Sequence, residues 1–331
     1  MTGRSETVTA TPEMVGMRLD HALAAVHPEM GLRGRRRLIE SGRILVNGRA
    51  GRAAQRLREG DVITAAPCED APSAAPPGEP PRLLARKGGY LFFFKPPGLH
   101  TVRLAGGGGE SLETALPALL PDDVDAKDIR LLQRLDRMTS GIVCAAAGED
   151  AALGFRRAEK GGLCTKRYLA LLQGRLEQAA TVRRRLDTDD CARSRALAPC
   201  AGPGGTEEPR LASPLRETIF QPLHVFEPGT LPPAMALCRS AAESGVRAPL
   251  TLAGCEIRLG ARHQIRAHAG ILGFPLVGDA LYGGEGDGAF LLHHGGLVFP
   301  GNACTLLPSW CREGEVAALA DAWLSGAVPG C

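Results

Sequence analysis

The chain has 331 residues, 44% of them hydrophobic, and its 39 basic and 36 acidic residues give a formal net charge of +3. This length suggests two domains, and the charge total alone does not indicate a nucleic-acid partner. No apolar run approaches the roughly 20 residues that a membrane helix needs. The ten cysteines are scattered without a C-x-x-C pair, so no metal site is expected. With no secretory signal, we expect a cytoplasmic protein whose thiols are reduced.

Residues 12–66 have the pattern of a small α/β domain that follows a loose leader. Helices are predicted from Met17 and over residues 33–41, and Asn47-Gly48 favours a left-handed hairpin turn between short strands. Nine arginines and one acid lie between residues 33 and 58, which predicts a cationic face for phosphates. A solvated face without a ligand is the alternative. The arginines expected to contact RNA are Arg33, Arg35, Arg36, Arg37, Arg43 and Arg49.

Residues 67–82 are rich in proline and lack apolar periodicity, which is typical of a semi-rigid linker. They separate the first domain from a second domain over residues 83–331. This second domain begins with a predicted buried strand at residues 90–94, which leads into the sequence Lys-Pro-Pro-Gly. Ser111 is expected to cap the short helix that follows a glycine-rich loop.

The central segment LLQRLDRMTSGIV, residues 131–143, places one carboxylate, Asp136, between Arg134 and Arg137. Apolar runs on both sides predict two strands joined by a tight connection at the rim of a sheet, where catalytic residues are often carried. The arginines are expected to keep Asp136 charged, so that it can act as a nucleophile, a base or a metal ligand. A surface salt bridge is the alternative, because the tripeptide Arg-Leu-Asp also occurs at residues 18–20 and 185–187.

Two later segments carry further candidate residues. Residues 166–172 predict a strand on which Lys166 and Tyr168 point to one face. Residues 261–284, ARHQIRAHAGILGFPLVGDALYGG, follow an alternating strand and predict a helix at the mouth of the sheet. The histidines at 263 and 268 are five residues apart, which does not suit two metal ligands on one helical face, so we expect them to act through hydrogen bonds. The other predicted features are helices at 149–160 and 313–326, a strand at 291–293 and irregular segments at 177–215 and 227–249.

Three motifs in chain order resemble those of the RluA-type RNA pseudouridine synthases: RLDRMTSG, KRYLAL and HQIRAH with the GDALYG that follows. The resemblance covers about residues 83–300. RRRLIESGRILVNG and LREGDVI resemble an S-four-type RNA-binding domain, placed over residues 12–66. The resemblance to the synthases implies an α+β fold with a mixed, mostly antiparallel bifurcated sheet, flanking helices and a cleft. It also implies isomerisation of uridine to pseudouridine in RNA, most readily large-subunit ribosomal RNA, by a monomer that needs no cofactor.

The resemblance implies roles for individual residues. Asp136 would be the nucleophile that acts on a flipped-out uridine, and Arg134 would fill the gap left in the stack. Arg266 would pair with Asp136, and Tyr168 would stack on the uracil and assist proton removal. The remaining residues expected to bind substrate are Arg137, Thr139, Ser140, Lys166, His263 and Gln264. The chain departs from the family's usual His and Arg at Gln133 and Ala261.

Two other classes of protein are alternatives. A non-catalytic RNA-binding assembly factor could keep the same fold, although the intact Asp136, Tyr168 and Arg266 argue against it. An aspartate-dependent glycosidase needs a second acid. The other acid in the motifs is Asp279, which is expected to be structural.

Overall fold

The computed structural model describes residues 6–25, 31–32, 35–36, 39, 44–65, 79–103, 110–184, 186–187, 195–196, 216–235, 248–284 and 290–327. They belong to a small amino-terminal unit and a large unit, each with its own hydrophobic core. Residues 67–78 of the predicted linker lie outside these residues, as do the predicted glycine loop and most of the predicted second helix. The predicted domain boundaries therefore stay predictions.

The small unit is a four-stranded antiparallel sheet in the order β1-β4-β2-β3. Its elements are β1 (Glu6–Thr9), α1 (Leu19–Ala22), β2 (Ile44–Val46), β3 (Arg49–Ala50) and β4 (Val62–Ala65). The expectation that the first twelve residues form a loose leader is wrong for Glu6–Thr9, because these residues form strand β1. The β-branched run of Thr7, Val8 and Thr9 favours a strand, and it pairs with β4.

The predicted hairpin turn of the small unit is confirmed. Asn47 and Gly48 have φ values of 53° and 75°, as a left-handed two-residue turn requires. Arg35, Arg36 and Ile39 have helical backbone within the predicted second helix. The core side chains of this unit include Leu19, Leu23, Ile39, Ile44 and Ile63.

The large unit contains a ten-stranded sheet in the order β10-β13-β14-β9-β15-β8-β6-β5, with β16 added to β15 and β7 to β8. Its strands are β5 (Arg82–Lys87), β6 (Tyr90–Lys95), β7 (Ile129–Leu131), β8 (Ser140–Ala147), β9 (Thr165–Gln173), β10 (Ala180–Val182), β13 (Thr218–Phe226), β14 (Leu250–Ile257), β15 (Leu292–Phe299) and β16 (Asn302–Thr305). A separate hairpin is formed by β11 (Leu186–Asp187) and β12 (Arg195–Ala196).

The pairing of this sheet confirms a mixed, mostly antiparallel and bifurcated arrangement. Among the strands described, β8 and β15 pair in parallel and the other neighbours are antiparallel. Both β8 and β15 have three partners, which is where the sheet branches. The branch brings β8, β9 and β15 side by side, although they are far apart in sequence.

Four helices flank the sheet in the described part of the large unit: α2 (Leu112–Leu119), α3 (Glu149–Lys160), α4 (Gln264–Ile271) and α5 (Gly314–Ser325). The Ser111 cap is confirmed, because its hydroxyl accepts a hydrogen bond from the Thr114 backbone N–H at 3.1 Å. The expectation of an irregular segment over residues 177–215 is wrong at β10, which pairs with the start of β13, and at β11 and β12, which pair with each other. Among the described residues, the helices fall short of the length and apolar character needed to span a membrane.

Candidate active site

Asp136 lies in the connection between β7 and β8, as the sequence predicts. The Asp136 carbonyl accepts a hydrogen bond from the Thr139 N–H at 3.1 Å, which closes the turn. Leu135 is buried beside it, and its backbone N–H and carbonyl both bond to the Thr101 hydroxyl, at 3.0 and 2.9 Å. Leu135 thus fixes the backbone while the Asp136 side chain stays 23% exposed.

Lys95, at the end of β6, supports this loop in a way that the sequence reasoning missed. The Lys95 side chain is fully buried, and its ammonium donates to the carbonyls of Pro96, Leu99 and Arg137, at 2.9, 2.8 and 3.0 Å. Burial lowers the pKa of Lys95 to about 7. A lysine that ends an otherwise apolar strand was the available signal, since a buried ammonium must find acceptors.

Gly141 determines how the strand leaves the loop. Its φ is +120°, and a Cβ at this position would lie 2.2 Å from the backbone oxygen of His294 on β15. Only glycine allows this approach of two backbones. The glycine of the Thr-Ser-Gly sequence is therefore required by the parallel pairing of β8 with β15.

Arg266, in the first turn of α4, contacts two carboxylates. Its Nη1 donates to Asp136 Oδ2 at 3.3 Å, while Nε and Nη2 donate to the two oxygens of Asp279 at 2.8 and 2.7 Å. Burial by itself would lower the pKa of Arg266, but the two carboxylates raise it on balance. Asp279 therefore holds the Nε and Nη2 edge of the guanidinium and leaves Nη1 to contact Asp136.

His263 is the third polar neighbour of Asp136. Its Nε2 lies 3.8 Å from Asp136 Oδ2, and its Nδ1 is 3.0 Å from the Tyr282 hydroxyl. The backbone of His263 is left-handed, with φ of 55°, at the position that begins α4. Burial lowers the pKa of His263, which favours the neutral imidazole. Its contacts orient the ring towards the carboxylate.

Gln264 and His268 brace the start of β13 against α4. The Gln264 amide donates to the carbonyls of Arg216 and Glu217, at 3.0 and 3.1 Å, and its oxygen accepts from the Ala261 N–H. His268 is buried against the Thr218 hydroxyl at 2.8 Å. The expectation that the histidines at 263 and 268 act through hydrogen bonds agrees with these contacts.

Tyr168 projects from β9 into the same cleft, and its ring stacks on His294 of β15. The ring centroids are 4.6 Å apart and the planes are inclined by 26°. Burial raises the pKa of Tyr168, so its hydroxyl stays protonated at neutral pH. Burial also lowers the pKa of His294 to about 4. Sequence reasoning missed His294, for which the signal was a pair of histidines at the end of the strand predicted at residues 291–293.

The cleft occupies about 360 Å³, open mouth included. Of the residues predicted to bind or act on substrate, it is lined by Arg134, Asp136, Thr139, Tyr168, His263, Gln264 and Arg266. The structure does not bring the remaining three to the cleft. Lys166 pairs with Glu159 of α3, the buried Ser140 hydroxyl is 2.9 Å from His293 Nδ1, and Arg137 donates to the Gly98 carbonyl at 3.1 Å.

Two positions that depart from the family pattern differ in their surroundings. Ala261 lines the cleft. Gln133 lies behind it, where its amide donates to the Ile142 carbonyl at 3.2 Å. No group of three or more His, Cys, Asp or Glu side chains suited to a metal ion occurs among the described residues.

The arginines of the small unit are described in part. Arg49 is exposed, while Arg35 and Arg36 are partly exposed. Arg33, Arg37 and Arg43 lie outside the described residues. Their predicted contacts with RNA stay predictions.

The chain resembles solved structures in its fold. It matches the structure of the human protein named "RNA Pseudouridylate Synthase Domain Containing 1" with a TM-score of 0.51 and 24% identity, over 76% of this chain and 97% of that one. The structure of the human protein named "RNA Pseudouridylate Synthase Domain Containing 4" matches with a TM-score of 0.50 and 16% identity, over 74% of this chain and 93% of that one. These matches confirm the expected α+β synthase fold.

Sequence comparisons identify the family. The chain is 27% identical to an uncharacterized RNA pseudouridine synthase of Chloroflexus aurantiacus over 288 residues, 83% of this chain and 78% of the relative. It is 26% identical to ribosomal large subunit pseudouridine synthase D of Nitrosomonas europaea, over 83% and 72%. A sequence model of the RNA pseudouridylate synthase family matches residues 89–270, more than half of the chain. The chain therefore belongs to the RNA pseudouridylate synthase family and is one of its RluA-type enzymes.

Proposed function

We propose that this RNA pseudouridine synthase modifies uridines of large-subunit ribosomal RNA and uses Asp136 as its nucleophile. The observation that carries the proposal is the asymmetry of the Asp136 carboxylate. Oδ2 accepts from Arg266, whereas Oδ1 has no hydrogen-bond partner in the described portion of the chain. A carboxylate that is oriented through one oxygen and free at the other is suited to attack an electrophilic carbon. The ribosomal substrate is proposed from the names of relatives such as the Nitrosomonas europaea synthase.

The target uridine is proposed to leave its stack before it reacts. A base within an RNA helix is inaccessible to a carboxylate in a cleft, so it must be turned out. The exposed Arg134 lines the cleft beside Asp136. Its planar guanidinium is suited to stacking on bases and to occupying the space that the uridine leaves.

The reaction balances without an added reagent. The bond from the ribose anomeric carbon to N1 of uracil breaks, the base rotates, and a bond to C5 forms. The hydrogen on C5 leaves as a proton, and N1 gains a proton in the product. Asp136 adds transiently either to the anomeric carbon or to the base and is released when that bond breaks. Arg266 stabilises the negative charge of the carboxylate before it adds and after it leaves.

Tyr168 is proposed to hold the uracil and to assist the loss of the C5 proton. One face of the Tyr168 ring is held by stacking on His294, and the other face of the same ring is proposed to stack on the flipped base. Because burial raises the pKa of Tyr168, the hydroxyl is a hydrogen-bond donor and acceptor rather than a strong base. A role in relaying the proton is therefore favoured over full deprotonation.

Tritium release from uracil C5 in transcribed large-subunit ribosomal RNA tests the proposal. Synthase activity predicts tritium in water, with the base still attached to the RNA. Free uracil would instead indicate glycosidase chemistry, and neither product would indicate an RNA-binding assembly factor. Mapping pseudouridines in RNA from a strain lacking the gene would then identify the target uridine.

A further inference from the structure

The small unit contains a buried aspartate that the proposed function leaves unused. Asp20 ends the first Arg-Leu-Asp tripeptide, and its side chain has no exposed surface. Arg18 donates through Nε and Nη2 to the two carboxylate oxygens, both at 3.0 Å. Arg36 donates through Nε to Oδ2 at 2.7 Å. The hydrogen bonds from Arg18, followed by those from Arg36, hold the pKa of Asp20 far below its usual range.

The two arginines are held at the surface rather than buried with Asp20. Their side chains are 40% and 42% exposed. Partly exposed ion pairs contribute little to stability, and burying the carboxylate opposes folding unless its partners are well placed. Stability alone is therefore a weak explanation for this arrangement.

Asp20 brings the two guanidinium groups together. Nη2 of Arg18 and Nε of Arg36 bond to the same oxygen, so these nitrogens lie no further apart than the sum of the two distances, 5.7 Å. Within the residues that the structure describes, Nη1 of Arg18 and both terminal nitrogens of Arg36 take no hydrogen-bond partner. Two like charges this close repel each other unless a carboxylate lies between them.

Neighbouring arginines are anchored in a comparable way. Arg35 Nη1 donates to the His21 carbonyl at 3.3 Å, and Arg56 Nη1 donates to the Gly16 carbonyl at 2.7 Å. Arg56 also forms a backbone bridge with Arg18. The small unit thus holds several of its guanidinium groups in place through its own hydrogen bonds.

We propose that Asp20 is a positioning residue that holds Arg18 and Arg36 as a clamp for one phosphodiester of the RNA backbone. The inference rests on the proposed action on RNA and adds Arg18 to the arginines that contact it. Two guanidinium cations, one carboxylate and one phosphate have a summed formal charge of zero, so the occupied clamp is electrically balanced. Phosphate oxygens accept hydrogen bonds from paired guanidinium groups with good geometry. Fixing the arginines beforehand reduces the entropy lost on binding.

The proposal makes a prediction opposite to that of simple electrostatics. Asp20→Asn removes one negative charge, so a diffusely cationic face would bind RNA more tightly after the change. A clamp would bind more weakly, because the neutral amide cannot hold both guanidinium groups. We expect affinity to fall about tenfold, the usual effect of losing a charge-assisted contact.

The experiment measures binding of the full-length chain to a transcribed fragment of large-subunit ribosomal RNA over a salt series. Asp20→Asn, Arg18→Gln and Arg36→Gln are compared with Arg58→Gln, which removes the same positive charge as the other two arginine variants but at an exposed site of the same unit. Each clamp variant should reduce the slope of log affinity against log salt by about 1. The Arg58→Gln control should show a smaller loss of affinity.

A double-mutant cycle distinguishes positioning from general support of the fold. In an Arg18→Gln, Arg36→Gln background, Asp20→Asn should no longer weaken RNA binding, because the groups that it positions are gone. An equal loss in both backgrounds, or tighter binding by Asp20→Asn alone, would overturn the clamp. If thermal melting shows that Asp20→Asn is unfolded, the affinities and salt slopes of Arg18→Gln and Arg36→Gln test the clamp instead. Failure of the unaltered enzyme to bind the RNA would overturn the proposed function and the clamp together.

Discussion

The tripeptide Arg-Leu-Asp occurs in both units of the chain, and the copies at residues 18–20 and 134–136 differ in what surrounds the aspartate. In each copy the leucine is buried, at Leu19 and Leu135. Asp20 has no exposed surface and receives three hydrogen bonds from arginines. Asp136 is 23% exposed and receives one hydrogen bond from Arg266, at 3.3 Å.

The difference shows why one tripeptide can serve structure and the other chemistry. Both carboxylate oxygens of Asp20 accept hydrogen bonds from Arg18, which lies two residues before it in the sequence. Asp136 is not bound by the arginines beside it in sequence. Arg266, which reaches it from another element, is mostly committed to Asp279. A carboxylate can react only where its partners are incomplete.

The largest expected effect is on turnover. Asp136→Asn should lower turnover by at least about 10³-fold, because the amide cannot attack, while RNA affinity stays within about threefold. Asp20→Asn should instead preserve turnover at saturating RNA. Single-turnover assays of pseudouridine formation measure both, with Asp123→Asn as a control for an exposed carboxylate. Substantial product from pure Asp136→Asn would remove the nucleophile assignment.

Arg266→Lys should lower turnover by about 10²-fold, with a smaller loss in affinity. An ammonium cannot bond in parallel to the two oxygens of Asp279 and also reach Asp136. Arg86→Lys, at an exposed ion pair, is the matched control and should change little. If Arg266→Lys weakened RNA binding but left turnover intact, Arg266 would be an RNA anchor.

Acid should destabilise the large unit before the small one. Burial lowers the pKa of His268 and His294 to about 4 and that of His293 to about 3. The unfolded chain therefore binds more protons below about pH 6.5, and stability falls between about pH 6.5 and 4 by roughly 1.4 kcal/mol per pH unit for each histidine. The stability linked to the lowered pKa of Asp20 should be lost only below about pH 4.

Urea unfolding at several pH values, followed by tryptophan fluorescence, measures the acid effect. Both tryptophans, Trp310 and Trp323, lie in the large unit and report on it alone. His268→Gln should flatten the pH dependence, whereas the exposed His224→Gln should leave it unchanged. A stability that is constant from pH 7 to 4 would contradict the prediction.

Tyr168→Phe should reduce turnover about tenfold, a smaller change than those at Asp136 and Arg266. The phenyl ring keeps the stack on His294, so RNA affinity should be preserved. A slow step or an accumulated enzyme–RNA adduct would indicate that the hydroxyl assists proton removal. Unchanged kinetics would leave Tyr168 with a stacking role only.

The smallest expected effect on turnover follows deletion of the small unit, residues 1–78. This cut keeps Glu79 and its ion pairs with Arg82 and Arg312. Turnover at saturating RNA should be unchanged, because the proposed catalytic residues lie in the large unit. The slope of log affinity against log salt should fall by roughly two to four, if three or four arginines contact phosphates. An unchanged slope would show that the arginine face is only solvated.

Much of the local structure was predictable because short-range rules act within it. Ser111 caps a helix, Asn47 and Gly48 form the hairpin turn, and residues 149–160 form a helix with the predicted bounds. The leader and the segment after residue 177 were misjudged at β1 and β10. Both are short edge strands, whose pairing depends on a distant partner rather than on a clear pattern of their own.

The sequence by itself determined the candidate nucleophile, its expected arginine partner and the likeness to the synthase family. The tertiary structure decided which neighbours each charge acquired. Asp136 and Arg266 are 130 positions apart, and Tyr168 meets His294 only because β9 and β15 pair. Likewise, the sheet order directs Ser140 to His293, away from the cleft. Local patterns encode backbone conformation, but the partners of a charged group depend on contacts that form only when distant strands come together.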